Sequence, residues 1–175
     1  MRTIFIGFLF ILLDFNLNLG SSSIELIPDF IGYIYVLKGL MELSEHSEWF
    51  TRLKPFANGM AIFSGIIFVM DLLGISVAMG TIVTMPLAIV STIISLYITY
   101  GIVMGIKDME AANEWDLNSD SLYSTWKVLV ICTIVSYMVF FIPFVAIIGI
   151  VVGVIANIFF LYSFNHSKNR YISLC

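Results

Sequence analysis

Long runs without a charged side chain alternate with short polar breaks along this chain. Residues 55–70, 72–106 and 128–167 carry no acid and no base. The two longer runs exceed the ~20 apolar residues that cross a bilayer once, so each must be split between helices or include a loop. Turn and charge signals divide the chain into apolar segments near 3–19, 27–43, 55–73, 82–106, 128–143 and 145–164. Gly20 to Ser23 separates the first pair, Gly74 to Thr81 the second, and Pro143 the third. Length requires the last break: one helix over 128–164 would run about 55 Å, against a hydrocarbon core of ~30 Å. The second segment opens at Pro28 and is short enough to be re-entrant or tilted. The pattern predicts an all-α fold, one domain over 1–175, built as an integral membrane bundle of six transmembrane helices in three hairpins.

Charge then orients the segments. Only 11% of the residues are charged and 60% are hydrophobic, whereas a soluble domain carries about 25% charged residues. The eight basic residues are Arg2, Lys38, Arg52, Lys54, Lys107, Lys127, Lys168 and Arg170. With six spans all of them fall at or near one face, and Lys38 is close enough to that face to snorkel. Basic residues mark the cytoplasmic side, so both termini are expected inside, N-in/C-in. Trp49, Trp115 and Trp126 fall in the same inner connections, where an interfacial indole belongs. The polar stretch from Lys107 to Lys127 reads as a partly helical connector along that interface. Eight of the twelve acids share the inner face with the bases, which leaves the net charge of −4 to Asp14, Glu25, Asp29 and Asp71 on the other side. Arg2 ahead of the apolar run Ile4 to Leu13 has the outline of a signal peptide. Asp14, Asn16 and Asn18 interrupt the run where a cleavable signal stays apolar, which favours an uncleaved first helix.

The outer carboxylates are the candidate chemistry. Asp14 and Asp71 lie near the C-terminal ends of the first and third segments, where the helix dipole disfavours a negative charge. No lysine or arginine falls on that face to pair with them, and an ionisable residue within a span is a functional hypothesis by default. The structural alternative is that each reaches outer water, which suits Asp71 better than Asp14. Asp29 follows Pro28 and reads as a first-turn acid favoured by the dipole. Ser91, Ser95 and Thr99 form a mildly polar stripe on the fourth segment. With Asn157 they could line a water-filled path, although interhelical hydrogen bonding is the commoner use. Ala57, Ala61 and Gly65, then Gly149, Gly153 and Asn157, and the pair Gly101 and Gly105, recur at every fourth position and let helices approach closely.

Other chemistry finds little footing. Cys132 sits in an apolar run and Cys175 ends the chain, so no disulfide framework or metal-ligand spacing arises. His46 and His166 sit in polar inner segments. No membrane-protease or metal-hydrolase motif is present, no cofactor or metal site is expected, and the absence of a basic tract argues against nucleic acid.

The stretch Leu26-Ile-Pro-Asp-Phe-Ile-Gly-Tyr33, following a first segment with Leu12-Leu13-Asp14, resembles an element of small, functionally uncharacterised bacterial polytopic membrane proteins. The resemblance covers about the first sixty residues. It implies a bacterial cytoplasmic (inner) membrane and carries no functional residues with it. The leading functional expectation is a non-enzymatic accessory or regulatory membrane subunit. Its partners would be the lipid bilayer and a membrane protein or second copy of the chain, met through the small-residue faces. A small transporter or cation-binding permease using the outer carboxylates comes next. An intramembrane hydrolase built on Asp14 and Asp71 comes last.

Overall fold

The computed structural model describes residues 1–12, 16–19, 22–25, 28–75, 80–139 and 143–174. Among these residues six helices and one short hairpin follow in the order α1 (Arg2–Leu12), β1 (Asn16–Leu19), β2 (Ser22–Glu25), α2 (Asp29–Glu42), α3 (Glu48–Leu72), α4 (Thr81–Asn113), α5 (Ser119–Val139) and α6 (Pro143–Leu174).

Helix number matches the apolar pattern, but lengths do not. Three helices among the described residues are long and apolar enough to cross a membrane: α3, α4 from Val83 and α5 to Met138. The 11 residues of α1 and 14 of α2 extend only about 16 and 21 Å, short of a ~30 Å core. The first segment expected at 3–19 is corrected most. Its helix is described only to Leu12, and Asn16–Leu19 pairs antiparallel with Ser22–Glu25 in the register Asn16↔Glu25 to Leu19↔Ser22. The alternation Asn-Leu-Asn-Leu before Gly20-Ser21 carries a strand-and-turn signal that an apolar-run reading passes over.

The polar connections are also helical further than expected. Helix α3 opens at Ser47, whose hydroxyl accepts from the Trp49 amide at 3.2 Å and donates to Asp108 at 2.9 Å. That cap starts the helix seven residues before the apolar run and carries Pro55 inside it. The expected connector 107–127 does not exist as a separate element. Residues 107–113 complete α4, 119–127 open α5, and the reversal takes only 114–118, with Glu114 and Asn118 at positive φ. Asn113 donating to the Met109 carbonyl, and Glu110 accepting from the Ser119 amide, hold that turn. At Pro143 the expectation holds: α5 ends at Val139 and α6 opens on the proline, whose missing N–H costs a first turn nothing.

Each helix packs against its neighbours in sequence, and α1 packs against α6, so the six close into a ring. Neighbours run antiparallel. Ile4 meets Gly39 while Ile11 meets Gly32, and Trp49 meets Tyr100 at 5.8 Å between ring centroids. One end of the ring therefore gathers both chain termini and the connections at 43–47 and 114–118; the other gathers the β hairpin and the 73–80 connection.

Among the described residues the core lies toward the terminal end. Ile4, Phe8, Val36, Leu40, Phe50, Leu53, Ile102, Ile106, Leu122 and Phe164 are fully buried or nearly so. Phe8 sits edge-on to Phe160 and Phe164 at 5.6 and 5.1 Å, closing α1 on α6. Glycines make that closeness feasible. Gly7 and Gly32 bring the α1 and α2 backbones together, and Gly101 and Gly105 accept Leu53 and Phe50. Toward the far end Ile62, Ile66 and Val69 of α3, Ile93 of α4 and Ile131, Ile134 and Met138 of α5 are exposed. Surface of that kind suits hydrocarbon better than water. All eight bases lie in the terminal half of the ring.

Candidate functional site: a polar cavity between α2, α3 and α4

Antiparallel packing puts the start of α2 beside the end of α3. Phe30 and Phe68 meet there at 5.7 Å, and Gly65 faces Phe30. The start of α4 returns along the same end. Between the three helices lies a half-open cavity of about 270 Å³. Its polar wall is Asp29 and Tyr33 from α2, Ser64 and Asp71 from α3, and Thr84 and Ser91 from α4, with Phe63, Ile67 and Leu87 completing it.

The two carboxylates have opposite local settings. Asp29 occupies the first turn of α2 after Pro28, where the partial positive charge of the helix N-terminus stabilises it. Asp71 is the next-to-last residue of α3, where its own helix repels it. The α2 N-terminus that borders the same cavity offsets part of that repulsion. Both carboxylates are half-buried.

The hydroxyls are oriented by the helices. Ser64 donates to the Met60 carbonyl at 2.6 Å and Thr84 to the Gly80 carbonyl at 3.3 Å. With their hydrogens so engaged, both oxygens can only accept. Tyr33 lines the wall from α2. The cavity thus offers carboxylate and acceptor oxygens, a lining suited to a cation or to a donor-rich group.

The expected site residues divide accordingly. Asp29 and Asp71 share the half-open cavity. Asp14 lies outside the described residues. The stripe on α4 is split: Ser91 lines the cavity and Ser95 does not. Thr99 is buried beneath Trp126, whose indole N–H donates to its hydroxyl at 3.2 Å. Asn157 stands on α6, away from the cavity wall. Sequence reasoning missed Tyr33, Ser64 and Thr84. Helical spacing held the signal: Tyr33 is four residues after Asp29, and Ser64 and Thr84 lie seven before Asp71 and Ser91, each pair on one face.

The small-residue positions are used within the ring. Gly149 accepts a hydrogen bond from Ser136 at 3.1 Å, Gly153 faces the same hydroxyl, and Ala57 is fully buried. No group of three or more His, Cys, Asp or Glu side chains that could hold a metal ion converges among the described residues. No family model, no curated protein and no solved structure matches the chain.

Proposed function

We propose that this chain is a multi-pass bacterial inner-membrane protein that binds a small cationic solute in the α2–α3–α4 cavity, as a permease does, without catalysing a reaction. All six helices enter the bilayer, the short α1 and α2 thinning it locally. The terminal end with its eight bases faces the cytoplasm, N-in/C-in. The cavity then opens toward the outer face.

One observation carries the reading: Asp29, Asp71 and the acceptor hydroxyls of Ser64 and Thr84 come from three helices to line a single cavity. Carboxylates at membrane depth mark ion and solute paths. Neutral and anionic oxygens together favour hard cations or protonated amines. The accessory-subunit reading has no comparable assembly of side chains behind it, and it predicts co-purification with a partner. The hydrolase reading needs Asp14 beside Asp71, and Asp14 lies outside the described residues.

Thermal unfolding of the purified protein in detergent tests the proposal, with potassium chloride or ethylammonium chloride as probes at matched ionic strength. Wild type should be stabilised by one of them, by about 2.7 kcal/mol at a hundredfold excess over Kd. Asp71→Asn should lose that gain. Asp29→Asn combined with it should be non-additive, since coupled residues deviate by about 0.5–3 kcal/mol. Equal responses in wild type and both variants would refute cation binding at this cavity.

A further inference from the structure

A second cavity, also about 270 Å³, lies at the opposite end of the ring, between the start of α5 and the last third of α6. Asn118, Ser121 and Thr125 form one wall, and Ser163 and His166 the other. The side chains that line it include no carboxylate. Ser163 is only 6% exposed, and its Oγ is a buried polar atom without a hydrogen-bond partner in the protein. A buried hydroxyl left so costs free energy, and in native proteins it calls for an explanation such as a bound group.

The hydrogen-bond donors around the cavity suit an anion. The Arg170 Nε–H donates to His166 Nε2 at 3.1 Å. In the neutral imidazole that leaves the hydrogen on Nδ1 as a second donor. The cavity also borders the N-terminus of the 21-residue α5, whose dipole favours negative oxygen and whose Ser119 N–H is already taken by Glu110. Nearby acids are engaged: Asp116 with Arg170, and Asp120 with Lys107 at 3.0 Å. On the membrane side the wall continues into Phe159 and Tyr162, 62% and 72% exposed. They offer acyl chains an aromatic surface directly above the polar pocket.

We infer that this cavity holds the phosphodiester headgroup of an anionic phospholipid of the inner leaflet, its acyl chains lying along Phe159 and Tyr162. Ser163, Ser121 and His166 Nδ1 donate to the phosphate oxygens, and Arg170, itself paired with Asp116, holds the imidazole tautomer. The aromatic surface distinguishes this site from one for free phosphate, which has no use for it. The inference rests on the membrane placement of the ring and not on the α2–α3–α4 cavity.

The test uses the full chain in dodecyl maltoside, with dioleoyl phosphatidylglycerol, dioleoyl phosphatidylcholine or inorganic phosphate added. Phosphatidylglycerol should raise Tm well above the effect of phosphatidylcholine, and native mass spectrometry should show one retained lipid. Ser163→Ala removes an unpartnered hydroxyl, so its Tm without lipid should equal or exceed wild type. Its phosphatidylglycerol affinity should fall about tenfold, the weight of one hydrogen bond to a charged group. His166→Leu should lose at least as much and serves if Ser163→Ala fails to fold. A Tm rise that is the same in both variants as in wild type would overturn the site. So would the lack of any preference over phosphatidylcholine. A full rise with inorganic phosphate alone would overturn the lipid assignment.

Discussion

Replacing Gly7 by Ala should separate α1 from α2 where their backbones meet. A Cβ at that position would lie 2.7 Å from the Gly32 carbonyl oxygen and 2.8 Å from the Val36 amide nitrogen. Both neighbours are main chain, so no rotamer change relieves the clash. Comfortable contact needs about 3.5–4.0 Å, so the helices must part by nearly 1 Å. Overpacking of a tight core costs about 1–3 kcal/mol, and the absence of any side-chain escape places this case at the upper end. Alanine returns up to about 1 kcal/mol through helix propensity. The net loss is therefore about 2 kcal/mol. Gly59→Ala is the matched control on α3, because no atom lies within 4 Å of its added Cβ. It should keep the propensity gain of up to about 1 kcal/mol, which sets the two variants about 3 kcal/mol apart. Reversible unfolding by dodecyl sulfate in mixed micelles measures both. Finding Gly7→Ala as stable as Gly59→Ala would refute the backbone contact, and with it the packing that anchors the terminal end of the ring.

Trp126→Phe removes the indole N–H that donates to Thr99 while keeping most of the aromatic surface. Thr99 stays satisfied through the Ser95 and Leu96 carbonyls, so the loss should be about 0.5–1.5 kcal/mol in the same titration; a loss above about 3 kcal/mol would point to ring packing instead. For orientation, single cysteines at 44–46 and 114–116 should react with an impermeant maleimide only from the cytoplasmic side of vesicles, and those at 74 and 80 only from outside. Labelling at 114–116 from outside would overturn N-in/C-in.

Three runs apolar enough to cross a membrane, the helix number and the common side of the bases are legible in the order of residues alone. Transfer into lipid is close to a sum over neighbours in sequence, and the positive-inside rule reads only the charges flanking each run. Pro143 is equally local, since a residue without an N–H suits the first turn of a new helix, where no intrahelical partner is lost. Boundaries were less legible. The Ser47 cap extended α3, the helical turns on both sides of 114–118 absorbed the supposed connector, and the alternation at Asn16–Leu19 was hidden within an apolar run. Composition counts polarity, whereas caps and strand pairs depend on where each hydrogen bond goes.

The two cavities were decided by tertiary structure. Asp29 and Asp71 stand 42 positions apart in the sequence, and Ser121 and Ser163 also stand 42 apart. Nothing local relates either pair. Only the antiparallel ring brings the start of α2 beside the end of α3, and the start of α5 beside the end of α6. Which faces of those helices meet is settled by glycines such as Gly7 and Gly39, and by the rings that fill the terminal end. A residue's neighbours across a bundle depend on the close packing of all six helices at once, and that is a property of the folded chain and not of any segment in it.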